Sequence, residues 1–249
     1  MCTLVILRRP EHEWPLVIGA NRDEMIDRPA LPPGRHWPDR PEVVAGLDRL
    51  AGGSWLGVND WGVAAAILNR HGSLGPADGL RSRGELVLEA LDHADAVDAA
   101  TALSHLDPAA YRTFNLIVAD NRDAFWLRHA GAGDIEVRPI KAGVSLIAAG
   151  DLDEFTTPRL AFALIPFTAA TVPDTDGGWG QWEALLSDDH PPPGRPADAA
   201  MRFTTERGFA TVSSALIALP ANPSPERPAV FRHAGWQPEA IPWQDAALR

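Results

Sequence analysis

The 249-residue chain has one cysteine, Cys2, and one tyrosine. A single cysteine excludes internal disulfides and thiolate metal clusters and fits a reducing, cytoplasmic setting. No apolar run approaches the ~20 residues that a membrane-spanning helix needs. The opening Met1-Cys2-Thr3-Leu4-Val5-Ile6-Leu7 has no basic stretch before its short apolar part, so it is not a secretory signal. Positive charge is scarce: 22 Lys and Arg stand against 33 Asp and Glu, a net charge of −11. That balance repels phosphate backbones and argues against nonspecific nucleic-acid binding. The eight histidines show no metal-binding spacing with a carboxylate. His71 reads as a solvated loop residue or, alternatively, as a ligand to haem iron. Gly52-Gly53 lacks the lysine of a phosphate-binding loop and more simply permits a tight strand entry. No internal repeat is present.

What remains is a globular composition, 45% hydrophobic and 22% charged, long enough for one large domain or two small ones. Nine tryptophans against one tyrosine is unusual; core and lid packing is the simpler account, and some are candidates to line a pocket. Leu4–Leu7 and Pro15–Ala20 are short apolar runs joined by a polar turn, which predicts an antiparallel hairpin. That pairing brings Cys2 beside the polar cluster Asn21-Arg22-Asp23-Glu24. The five prolines between Pro29 and Pro41 predict a loop. Strands are expected entering Asn59, then over 61–69, 114–120, 124–128, 143–148, 209–219 and 229–233. Ser82 and Glu85 have the spacing of a capping box, predicting a helix through Leu86–Leu91. A second helix is expected over Ala94–Leu106, and a third over Thr157–Ala170, broken or kinked at Pro166. Residues 174–180 and 191–196 read as linkers. Strands, two helices, strands, a helix and strands again suggest sheets stacked between helical layers.

Cys2 stands directly behind the initiator methionine. Methionine aminopeptidases trim that residue when the next side chain is small. Trimming leaves a thiol and an α-amine on one residue, and an amine with a pKa of about 8 can serve as the thiol's general base. The plainer alternative is a small buried side chain opening a strand.

Met1-Cys2, Asn21-Arg22-Asp23-Glu24, Gly52-Gly53-Ser54-Trp55-Leu56-Gly57, Leu68-Asn69, Ser82-Arg83-Gly84 and Phe114-Asn115-Leu116 occur in this order over about half of the chain. The set resembles the NRDE family, also called the transport and Golgi organisation protein 2 family. That family in turn resembles N-terminal nucleophile (Ntn) hydrolases, and among them the cysteine enzymes that cleave bile-salt amides and penicillin V. The resemblance implies one domain over residues 1–249, with an α+β, four-layer αββα fold: two stacked, mainly antiparallel sheets flanked by helices. It implies Cys2 as nucleophile, Asn21-Arg22-Asp23 as the polar segment of the second strand, Asp23 holding the new α-amine and Asn69 donating to an oxyanion. Arg22 is then expected to favour the thiolate. For the same residues, a tight turn at Asn21 and Asp23, a cap at Asn69 and a surface pair between Arg22 and Glu24 are the simpler accounts.

The implied chemistry is hydrolysis of a small-molecule amide through a thioester, with no cofactor. Eukaryotic relatives are linked to haem trafficking and to lipid and acyl-CoA metabolism, so a non-catalytic carrier of haem or acyl-CoA is the alternative. Two departures bear on the choice. Family members carry a Ser-Asn pair where this chain has Ala148-Ala149, and an arginine where it has Val212. Both changes predict a pocket with fewer polar groups.

Overall fold

The computed structural model describes residues 2–171 and 178–248. Strands β1 (Thr3–Arg8) and β2 (Leu16–Met25) form the expected hairpin, with Thr3 opposite Asn21 and Arg8 opposite Leu16. The polar cluster does not turn the chain. Asn21 to Glu24 continue β2, because strand β11 (Phe209–Leu219) pairs along its whole length, from Leu16 opposite Leu219 to Met25 opposite Phe209.

Between these strands the chain builds a second sheet almost without interruption. Its members are β3 (Ala30–Gly34), β4 (Val43–Asp48), β5 (Leu56–Asn59), β6 (Ala64–Asn69), β7 (Phe114–Ala119), β8 (Ala124–His129) and β9 (Glu136–Pro139), each antiparallel to the next in that order. The first sheet is completed by β10 (Gly143–Ile147) on the free edge of β1, and by β12 (Val230–Gly235) and β13 (Ile241–Asp245) beyond β11. Helices α1 (Gly84–Leu91) and α2 (Ala96–Ser104) lie between β6 and β7 in the chain, and α3 (Pro158–Ala169) and α4 (Gly180–Ser187) between β10 and β11.

Side-chain alternation sets the layers. Leu4 and Ile6 of β1, with Leu16, Ile18 and Ala20 of β2, face the second sheet and meet Val58, Ala66, Leu68 and Ile117. The intervening residues Val5, Leu7 and Val17 face outward onto Leu160, Phe167, Trp182 and Leu186 of α3 and α4. The outer face of the second sheet packs on Leu86, Leu91, Ala99 and Leu103 of α1 and α2. The result is the four-layer αββα arrangement, with α1 and α2 in one layer. Gly19 is small for a packing reason: a Cβ there would sit 3.3 Å from both Leu186 and Trp182.

Several local expectations change. The proline-rich stretch contains β3, at the sheet's edge, where missing amide donors are tolerated. The capping box does not form. Arg83 occupies the N-cap position, Ser82 Oγ accepts from Gly84 N–H at 3.2 Å, and Glu85 instead accepts from the Tyr111 hydroxyl at 2.6 Å. α2 is capped by Asp95, which accepts from Asp98 N–H at 2.8 Å. α3 runs unbroken through Pro166. Of the expected 174–180 linker, 174–177 lie outside the described residues and Gly180 begins α4. Among the described residues no helix is long and apolar enough to cross a membrane.

Candidate active site

Cys2 shares the face of Leu4 and Ile6, and packs half-buried against the core between the sheets. Its sulfur meets the backbone of β2 twice: Asp23 N–H donates to Sγ at 3.4 Å, and the thiol lies 3.7 Å from the Asp23 carbonyl. Beyond Sγ opens a cavity of about 230 Å³. Arg22, Trp55, Asn69, Arg83 and Arg112 line it together with Cys2. Asn69 ends β6, and its side-chain amide has no protein partner among the described residues, so it remains available to a ligand.

Residues Asn21 and Asp23 alternate with Arg22 and turn their side chains to the other face of the sheet. Asn21 is sealed there. It donates to the carbonyls of Leu186 (3.0 Å) and Met201 (2.8 Å) and accepts from the Ser214 hydroxyl at 2.6 Å. It therefore anchors α4 to β2 and does not line the cavity. The Asp23 carboxylate is also buried, accepting from Arg159 at 2.6 Å and from Thr211 Oγ1 at 2.7 Å. A bulge in β11 between Thr211 and Ser213 aims Thr211 at this carboxylate. Met1, whose removal frees the Cys2 α-amine expected to meet Asp23, lies outside the described residues.

Arg22 is buried against the Trp55 ring, 4.1 Å from its centroid, with Asp48 at 3.8 Å. It is not a surface pair with Glu24. The expected thiolate does not follow from it. Burial pushes the Cys2 thiol up, Asp23 pushes it further up, and the opposing pull of Arg22 is too weak to reverse them.

Arg159 was not among the sequence candidates. It stands near the N-terminus of α3, over the Phe203 ring, and brings a guanidinium to Asp23 at 2.6 Å. The one signal for it is an arginine in an otherwise apolar helix. Neither Ala149 nor Val212 lines the Cys2 cavity. Ala149 is buried, and its carbonyl accepts from His71 N–H at 3.2 Å. Asn115 secures this segment by donating to the carbonyls of Ala148 (3.0 Å) and Gly150 (2.8 Å). Val212 lines a separate apolar cavity of about 660 Å³, walled by Leu31, Phe231 and Ile241, which shares Arg22, Arg28 and Trp55 with the first. His71 is exposed and lines neither.

The motif pieces quoted from the sequence thus meet in space. Gly53 packs on the backbone of Gly84, Ser54 N–H donates to the Gly84 carbonyl at 2.9 Å, and Asn69 and Arg83 face Cys2 across the cavity. Residues 1–158 match the family model described as Transport and Golgi organisation 2. The chain belongs to that family. Curated relatives include the Transport and Golgi organization protein 2 homologs of Bos taurus, 37% identical over 124 residues, and of Homo sapiens, 35% identical over 117 residues. Each match covers 44% of this chain and 40% of the relative, so the likeness spans about two fifths of their length.

Solved structures extend the comparison to nearly the whole chain. An N-acylethanolamine-hydrolyzing acid amidase ortholog from Caenorhabditis elegans superposes with a TM-score of 0.60 at 14% identity, over 90% of this chain and 94% of that one. Penicillin V acylase from Agrobacterium tumefaciens gives 0.60 at 13%, over 98% and 86%. A conjugated bile acid hydrolase variant from Clostridium perfringens gives 0.55 at 9%, over 99% and 94%. At these identities the likeness establishes the Ntn-hydrolase fold.

Proposed function

We propose that this member of the family hydrolyses a small-molecule amide with Cys2 as nucleophile. The observation that carries the reading is that Cys2 and the uncommitted Asn69 amide line one cavity, in a chain whose overall fold is like that of proteins named as an amidase and an acylase. With Met1 removed, the α-amine of Cys2 takes the thiol proton. Sγ attacks the amide carbonyl carbon, and the developing oxyanion accepts from the Asn69 side-chain N–H. The ammonium returns the proton to the leaving amine as the C–N bond breaks, leaving a thioester. Water then attacks the thioester, giving up a proton to the amine, and the carboxylic acid and free thiol result. Arg159 and Thr211 hold the Asp23 carboxylate, a positioning role toward the amine.

A carrier of haem or acyl-CoA is the second reading. It is favoured by the apolar cavity beside the first, where Val212 stands in place of the family arginine. The two are separated by screening wild type and Cys2→Ala against N-acyl amides and titrating both with haem and acyl-CoA. Intact mass first establishes whether Met1 has been removed. The hydrolase reading expects turnover in wild type and none in Cys2→Ala, with substrate binding retained. Turnover surviving in Cys2→Ala rejects the nucleophile. Absent turnover together with micromolar haem or acyl-CoA binding moves the assignment to the carrier.

A further inference from the structure

Five arginines line the Cys2 cavity: Arg22, Arg28, Arg81, Arg83 and Arg112. Three have carboxylate partners. Arg28 meets Asp48 at 2.7 Å and Glu24 at 3.6 Å, Arg22 meets Asp48 at 3.8 Å, and Arg81 meets Glu85 and Glu89. The cavity's own carboxylates are engaged in the same pairs, and Asp23 is held by Arg159.

Arg83 and Arg112 differ. Arg83 donates to the Ser73 hydroxyl and the Thr113 carbonyl, both at 2.9 Å, and more weakly to the Gly75 carbonyl. Arg112 donates to the carbonyls of Leu74 (2.7 Å), Gly72 (2.8 Å), Pro76 (3.2 Å) and Gly75 (3.4 Å). Neutral acceptors fix the direction of a guanidinium without cancelling its charge. Among the described residues no carboxylate pairs with either arginine, and neither Nε is committed to a protein acceptor. Holding two such charges together is unfavourable: burial and the neighbouring Arg112 push Arg83 down to about 10. An anion entering the cavity relieves that repulsion and finds preset donors.

We propose that Arg83 and Arg112 seat an oxyanion, a carboxylate or a phosphate, carried by the molecule that occupies the Cys2 cavity. The guanidinium fork suits both groups. The proposal rests on this cavity being the ligand site, which both readings of function share, and it does not require turnover. It narrows the substrate class to amides, or bound ligands, with an acidic group.

The test measures binding to Cys2→Ala, so that hydrolysis does not interfere. Three probes share a twelve-carbon tail: N-dodecanoylglycine, dodecyl phosphate and the neutral N-dodecanoylethanolamine. At least one anionic probe is expected to bind roughly tenfold or more tightly than the neutral one, the scale of a charge-assisted hydrogen bond. The tighter of the two anions identifies the group. Arg112→Gln and Arg83→Gln should each remove most of that preference and leave the neutral probe's affinity unchanged, which also reports that the cavity is intact. Where a Gln variant fails to fold, Arg112→Lys and Arg83→Lys, which keep the charge and lose the fork, should reduce the preference in part. Equal affinity for all three probes, no binding of any, or an equal loss for charged and neutral probes in the variants overturns the proposal. Turnover of neutral amides without anion preference would overturn it alone and leave the nucleophile assignment standing.

Discussion

A buried carboxylate held by one guanidinium loses stability sharply when that guanidinium is removed. Asp23 and Arg159 form such a pair at 2.6 Å, with both side chains almost fully covered. Arg159→Leu strips the charge and its bonds to Thr3 and to the Asp198 carbonyl, leaving the acid in a low-dielectric setting. The expected loss is about 3–5 kcal/mol, read as a lower urea midpoint at unchanged slope. A loss below about 1 kcal/mol would mean that solvent or a neighbour compensates Asp23. The Cys2 thiol offers a second test at this scale. Its raised pKa means that less thiolate is present at pH 7 than in a free cysteine. Iodoacetamide should therefore label the native chain more slowly than a model peptide at pH 7, opposite to what Arg22 alone suggests. The rate should climb as pH passes through the raised value, and Arg22→Gln should slow it further. Linkage runs the same way: the fold prefers the protonated thiol, so this contribution is full below about pH 8.5 and declines as pH rises through the folded pKa. Native labelling faster than the peptide would place the thiol in a more cationic setting than burial and Asp23 allow.

At the scale of elements, alternation and turn chemistry made the β1–β2 hairpin legible, and with it the meeting of Cys2 and the 21–24 cluster. The end of β2 was not legible, because its polar residues are satisfied by partners far along the chain, including Met201, Thr211 and Ser214, which no local pattern reveals. Ser82 and Glu85 mislead for a related reason: Tyr111 engages the glutamate from a distant segment. The glycines of the motifs have a packing reason. A Cβ on Gly53 would lie 2.4 Å from the Gly84 carbonyl carbon, a backbone atom that cannot swing aside. Gly53→Ala should therefore destabilise by at least about 1–3 kcal/mol, and widening this contact should also weaken ligand binding at Arg83. Calorimetry showing a near-neutral change would disprove the close packing of the two motifs. Strands β8 and β12 each carry a buried histidine, His129 and His233, whose Nδ1 atoms have no hydrogen-bond partner. Burial holds both below the ordinary histidine value. Their neutral forms are favoured in the fold, so this stability is present above about pH 6.5 and lost as pH falls through the depressed values. The melting temperature should drop between pH 7 and pH 5, and His129→Gln with His233→Gln should flatten that slope. An unchanged slope in the double variant would assign the acid sensitivity elsewhere.

For the whole molecule, the recognisable and the supporting parts of the chain are different. The family match ends at residue 158, at the first residue of α3. It contains every strand of the seven-stranded sheet, but only β10, β1 and β2 of the other. Without β11, strand β2 has an open edge along its full length. Without α3 and α4, Val5, Leu7, Val17 and Leu146 face water. At about 1.5–3 kcal/mol for each large apolar side chain, that exposure rivals the net stability of a typical domain. Asn21 would lose Leu186, Met201 and Ser214, and Asp23 would lose Arg159 and Thr211. The motif-bearing region is therefore expected not to fold alone. A 1–158 fragment should show no cooperative thermal transition and a collapsed amide spectrum, while the 1–249 chain melts in one step. A fragment with dispersed resonances and a sharp transition would divide the chain into two units near residue 158. It would also make the buried ends of Asn21 and Asp23 incidental to the cavity that Cys2 lines.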